Sequence, residues 1–146
     1  MVRTLDSRSS QNMSYPVLPD QFYGVEPILI AQVGLQIYNP GELIRVHFSG
    51  ILGVSANPIS SSEVSIRTFV VRGFDVETGA IVFIMDNVVD LFNVQTQTLS
   101  FTGSDYDIPP PDDDMLVYTC FVSSDLDGAI YRRGPESFNA TAYCND

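Results

Sequence analysis

Five aspartates crowd one stretch of this chain: Asp105, Asp107, Asp112, Asp113 and Asp114 lie in SDYDIPPPDDDM, residues 104–115. Carboxylates are hard oxygen ligands, and calcium takes roughly six to eight of them in flexible geometry, so a turn gathering several would make a cation site. The proline run oppposes that reading. Pro109, Pro110 and Pro111 favour a stiff, extended segment that spaces carboxylates apart, and a charge run on a loop is ordinarily solvated. The expectation is a charged loop between strands, solvated or facing arginines such as Arg132 and Arg133, with calcium as the alternative.

Other chemistry has less to stand on. In SDLDGAIYRRGPE, Asp125, Asp127 and Glu136 fall at calcium-loop positions, but Ala129 and Ile130 occupy places that need an oxygen ligand and a glycine. Asp127-Gly128 reads instead as a tight hairpin turn. His47 is the only histidine; it alternates with apolar residues on the same face as Arg45, which predicts a solvent-facing ring and not a catalytic base. No G-x-S-x-G, H-E-x-x-H or phosphate-cradling glycine loop is present, so no catalytic residue and no cofactor is expected. Cys120 and Cys144 are a candidate disulfide if their strands are neighbours, a bridge worth about 3 kcal/mol in the chain-entropy model. Two buried thiols, or a link between subunits through Cys144, are the alternatives. The sequons at Asn12 and Asn139 would matter only in a eukaryotic secretory route.

The elements that must position these residues read as strands. ILIAQVGLQIY ends at Asn39-Pro40-Gly41, a turn in which Gly41 permits positive φ. In the next segment Ile44, Val46 and Phe48 alternate with Arg45 and His47, the mark of a half-buried strand. EVSIRTFVVRGF sets Val64, Ile66, Thr68 and Val70 on one face, and a turn at Thr78-Gly79 leads into residues 80–85. Further short strands are expected at VVDLFNV, QTQTLSFT (ending at Thr102), MLVYTCFVSS, GAIYRRG and SFNATAY. About eight or nine short strands without a 3.6-residue apolar period predict an all-β fold, a single antiparallel β-sandwich of jelly-roll type over residues 25–146. An immunoglobulin-like sandwich is the second choice, weakened by the absence of tryptophan. Residues 1–24, polar and twice interrupted by proline, read as an extended N-terminal arm. Tyr15, Val17, Leu18, Phe22 and Tyr23 would let that arm dock on another copy.

Composition narrows the function classes. The chain has 146 residues, 45% of them hydrophobic, enough to bury a core in one domain. Its seven basic residues are all arginines against eighteen acids, a formal charge of −11, which repels nucleic-acid phosphates and anionic lipid. No segment is long and apolar enough for a membrane-spanning helix or shaped as a secretion signal, so neither membrane insertion nor signal-directed export is expected. Lysine, a common guard of sheet edges, is absent.

The segments ILIAQVGLQIYNPGELIRVHFSGILGVSA, VSIRTFVVRG, ETGAIVF, MLVYTCFVSS and RGPESFNATAY, in that order, resemble the small jelly-roll proteins of the Bacillus spore surface, the exosporium protein C-like proteins. More loosely they are similar to the jelly-roll subunits of endospore appendages. The resemblance implies a non-enzymatic structural protein at a cell or spore surface, laid down without a secretion signal. Such a protein self-assembles into a layer or fibre with copies of itself and meets other surface-layer proteins. The acidic stretch is not part of that pattern, and the N-terminal segment lacks the cysteine-rich connector of some appendage subunits. A binding module, either carbohydrate-binding or a trimeric tumour-necrosis-factor-like tip, and a viral capsid or fibre subunit are the alternative functions for the same fold.

Overall fold

Alternation along the central strands decides the layers. Ile44, Val46 and Phe48 are buried, His47 is exposed and Arg45 half-buried, so one side of the strand faces the core and the other the surroundings. The computed structural model describes residues 1–13, 21–57, 63–90 and 96–145. Its strands are β1 (Val2–Met13), β2 (Phe22–Tyr23), β3 (Ile28–Gln36), β4 (Ile44–Ala56), β5 (Glu63–Arg72), β6 (Ala80–Asp90), β7 (Thr96–Ile108), β8 (Met115–Ser124) and β9 (Ile130–Asn145).

These strands form two sheets. The first has the order β1-β9-β4-β7, with β2 also paired to β9; the second has the order β3-β8-β5-β6. Every pairing is antiparallel. Setting β2 aside, this is the interleaved order of a jelly roll, in which consecutive strands from β3 onward fold two Greek keys across the sandwich. The order excludes the immunoglobulin arrangement, and the expected all-β jelly-roll sandwich is the fold observed.

Aromatic rings knit the two sheets together. Phe48 of β4 lies 5.6 Å from Phe83, 6.0 Å from Phe138 and 6.2 Å from Tyr118, so one ring touches β6, β9 and β8. Around it Leu35, Ile37, Leu52, Ile66, Val122 and Ile130 are fully or almost fully buried. Burial of such side chains, at about 1.5–3 kcal/mol each, is the main force closing the sandwich.

Several expected boundaries are corrected. Residues 2–13 do not stand off as an arm: β1 pairs with β9 from Val2↔Asn145 to Met13↔Glu136, and it is the first strand of the jelly roll. Asp6 and Ser10 fasten it across the sandwich, because the Gln36 amide donates to Asp6 Oδ2 at 2.8 Å and the Gln32 amide to Ser10 Oγ at 3.4 Å. Partial burial would raise the Asp6 carboxyl, and the hydrogen bonds from Gln36, Arg8 and Ser7 reverse that, holding it below the ordinary carboxylate range. Tyr23 is fully buried in this chain's own core, with Arg132 over its ring, and Phe22 packs against Tyr131 with ring centroids 4.3 Å apart. Tyr15, Val17 and Leu18 lie outside the described residues.

Strand β7 runs on to Ile108, so Asp105 and Asp107 belong to a strand and only Pro109–Asp114 makes the loop. β9 is one strand where two were expected. Between Leu52↔Glu136 and Val54↔Arg132 it carries extra residues that Gly53 alone faces, a bulge that absorbs Gly134 and Pro135 without ending the strand. The turn after β8 uses a single positive φ, at Gly128 (74°), while Asp127 accepts a hydrogen bond from the Val25 amide at 2.7 Å.

Candidate functional site

The acidic stretch does not converge. Asp105 Oδ2 accepts from Arg72 Nη1 and from the Tyr118 hydroxyl, each at 2.8 Å, and is thereby committed to a half-buried ion pair. Burial, then the Asp105 charge, pushes the Tyr118 phenol up, which keeps it a donor. Asp113 Oδ1 accepts weakly from the Met115 amide at 3.3 Å, and Asp107 and Asp114 adopt positive φ. Among the described residues no three His, Cys, Asp or Glu side chains gather as a metal site, so the calcium alternative at Asp105, Asp107, Asp112, Asp113 and Asp114 is not supported. The arginine that meets this stretch is Arg72, not Arg132 or Arg133. Asp125 and Asp127 are likewise occupied, accepting from the Ser65 and Val25 amides.

Arg132 has a different partner. Its guanidinium holds Glu136 by three contacts of 2.6–3.0 Å, with the Glu136 side chain wholly excluded from solvent and that of Arg132 at 14%. Arg132 Nη1 also donates to Gln21 at 3.0 Å, so this pair fastens the start of β2 to the bulge of β9.

Cys120 and Cys144 are not bridged. Both are buried, Cys120 in β8 of the second sheet and Cys144 in β9 of the first, and the candidate disulfide is not formed in this structure. Burial, then the nearby Glu136 charge, pushes the Cys120 thiol up from an ordinary value of 9.0 to about 12. Cys120 should therefore resist thiol reagents at pH 8 until the chain unfolds. Above pH 9 the unfolded chain loses this proton while the folded chain keeps it, so stability should fall as pH rises toward 12, by up to about 1.4 kcal/mol per pH unit. Thermal melts of the native chain and of Cys120→Val across that range test this, the variant showing the shallower decline.

The outer face of the first sheet is lined by hydroxyls, amides and rings. Ser7 meets Thr141 at 2.8 Å, Ser9 donates to Asn139 at 2.5 Å, and His47 Nδ1 lies 2.8 Å from Ser104 Oγ. His47 is solvent-facing as expected, and its ring sits edge-on to Tyr143 at 5.5 Å. One end of this face is recessed. The register of β4 against β7 jumps from Ile44↔Ile108 to Val46↔Asp105, so Arg45 stands opposite two residues, Tyr106 and Asp107. On its other side Arg45 pairs with Tyr143, whose ring centroid is 5.7 Å from the guanidinium carbon. Leu43, Arg45, Tyr106, Asp107, Tyr143 and Asn145 line the resulting cleft. Bulges commonly re-aim side chains at binding sites. Sequence reading placed Arg45 on the outer face, but it had no means of finding the bulge that recesses it.

The second feature is an edge. β6 ends the order β3-β8-β5-β6, and Ile81, Ile84 and Val88 along it are 47%, 50% and 64% exposed. Register joins Leu29, Phe121, Phe69 and Ile84 into one apolar row across the outer face, with Phe69 and Phe121 stacked at 5.4 Å.

No protein-family model matches the chain, and no curated protein is significantly similar to it. Solved structures do align with it. One is the structure of infectious bursal disease virus Gt strain, at 14% identity over 97% of this chain and 32% of that one, with a TM-score of 0.43. The present chain thus spans about a third of that relative's length. A Bacillus endospore appendage, from a family of disulfide-linked pili, aligns over 99% of this chain and 88% of its own, at 16% identity and a TM-score of 0.36. Murine APRIL at pH 5.0 aligns over 97% and 91%, at 10% identity and a TM-score of 0.44. The assignment to the jelly roll rests on the strand order.

Proposed function

We propose that the chain is a non-enzymatic structural subunit that assembles with copies of itself through its sheet edges, at a cell or spore surface. The observation that carries this reading is β6. It spans eleven residues without lysine, proline or glycine, exposes three large aliphatic side chains, and has β5 as its hydrogen-bonded neighbour in a sheet it terminates. An edge of that length and character is a template for pairing with another chain. Its one mid-strand charge is neutralised, since Arg67 grips Asp86 by two contacts of 2.7 and 2.9 Å.

The other edges are better guarded. β1 and β3 shield each other through the Asp6 and Ser10 bonds, and β7 is bent by its bulge. A further contact would come from exchange of β1 between copies, because the β9 backbone accepts any β1 in the same register.

Lysine at Ile84 and Val88 should block pairing at β6 while leaving the core intact, since both side chains face outward. Sedimentation and negative-stain microscopy of the native chain and of Ile84→Lys/Val88→Lys test the reading. The expected result is polymer or oligomer in the native chain and loss of it in the double variant; a monodisperse native monomer would sink the reading.

A further inference from the structure

We propose that the cleft beside Arg45 binds a sugar unit carrying a carboxylate, such as a uronic acid residue. Arg45 Nε is buried and has no hydrogen-bond partner. The contrast with its fellows is informative. Arg3 donates to the Asn39 carbonyl, and Arg8, Arg67, Arg72 and Arg132 pair with Asp6, Asp86, Asp105 and Glu136, while Arg133 shares with Arg45 the lack of an ion pair among the described residues. With eighteen acids to seven arginines, carboxylate partners are plentiful, yet Arg45 pairs with none among the described residues. A guanidinium that lines a cleft without a carboxylate partner leaves its outer N–H groups open to an acceptor from outside the chain.

The surroundings define that acceptor. A planar carboxylate matches the guanidinium fork in two parallel hydrogen bonds, a geometry an isolated point charge does not exploit. Tyr106, 59% exposed, offers aromatic surface against which the C–H groups of a sugar ring pack, while the Tyr143 ring carries the Arg45 guanidinium. Asp107 and Asn145 at the rim supply oxygens that accept from ring hydroxyls. The cleft holds about 170 Å³, below the roughly 300 Å³ at which drug-sized sites begin, which limits it to one small ring. Beside it the same face continues with His47, Ser104, Thr141 and Asn139, a polar surface along which neighbouring units of an oligosaccharide would lie. The net charge of −11 repels an anion at long range, but screening confines that repulsion to about 8 Å at physiological salt.

Saturation-transfer NMR reads the free ligand and so works whether the chain is monomer or polymer, which separates this test from that of assembly. The probes are D-glucuronate, D-glucose, acetate and tri-aspartate, against the native chain, Arg45→Gln and Tyr106→Ser. Tyr106 is exposed, so its variant keeps the fold if the other does not. Glucuronate should bind the native chain, with glucose and acetate weaker by about tenfold each, and Arg45→Gln should lose about tenfold through its missing bidentate contact. Tyr106→Ser should weaken glucuronate and leave acetate unchanged. No glucuronate signal, acetate equal to glucuronate, tri-aspartate tighter than glucuronate, or an Arg45→Gln variant that binds as the native chain would each overturn the proposal.

Discussion

Replacing Arg132 by methionine is expected to destabilise the chain by about 3–5 kcal/mol, because it strands the Glu136 carboxylate in the interior. Glu136 is fully excluded from solvent, and its charge is met by three contacts from one guanidinium and a longer one of 3.4 Å from Asn12. A lone carboxylate in such a place has neither water nor a counter-charge. Removing both partners is a different experiment. Arg132→Met/Glu136→Leu takes away the charge along with its partner, and apolar replacements of a buried pair are often neutral or stabilising. Urea denaturation of the two single variants and the double variant should therefore show a large loss on Arg132→Met that the second substitution largely restores. If Arg132→Met unfolds at the native midpoint, the pair is not the interior anchor described.

Gly53→Ala should cost about 3 kcal/mol, the upper part of the range for overpacking. A Cβ on Gly53 would collide with the carbonyl oxygen and carbon of Gly134. Both are backbone atoms, in the bulge that the Arg132–Glu136 pair brackets, so they cannot swing aside as a flexible side chain would. Either β9 lifts from β4 or the bulge is redrawn. The measurement is the fall in melting temperature, with Gly128→Ala as its counterpart. Gly128 has positive φ but nothing within 4 Å of an added Cβ, so that variant should lose only the smaller conformational term. Equal losses at the two glycines would contradict the steric argument.

The jelly-roll core was legible where burial follows a period of two. Ile44, Val46 and Phe48 face inward as their alternation predicts, and Val64, Ile66, Thr68 and Val70 do the same on β5. β1 escaped notice for a physical reason: VRTLDSRSSQNM has few apolar residues and no alternation, because this edge strand is held by backbone pairing and by polar side chains such as Asp6. The Gly134-Pro135 step reads as a break, yet a bulge carries the strand through it. Edge status cannot be read from a segment at all. VFIM looks like any buried strand until the sheet order leaves β6 last. The recess at Arg45 has the same origin, since it exists only once β7 is misaligned against β4.

The pairing of β1 with β9 bears on how fast the fold can close. Ser9 and Asn139, bonded through their side chains, are 130 positions apart, and the whole β1 ladder is of this kind. Contacts so distant in sequence pay a large loop-closure entropy before they return any energy, and folds dominated by them are slow. β4, β7 and the second sheet share their ladders with nearer neighbours and should form earlier, leaving β9 with one side open for a time. During that interval its empty ladder is offered equally to the β1 of the same chain and to that of another. Concentration during refolding, more than the final stability, would then set how many copies end up joined by a shared first strand.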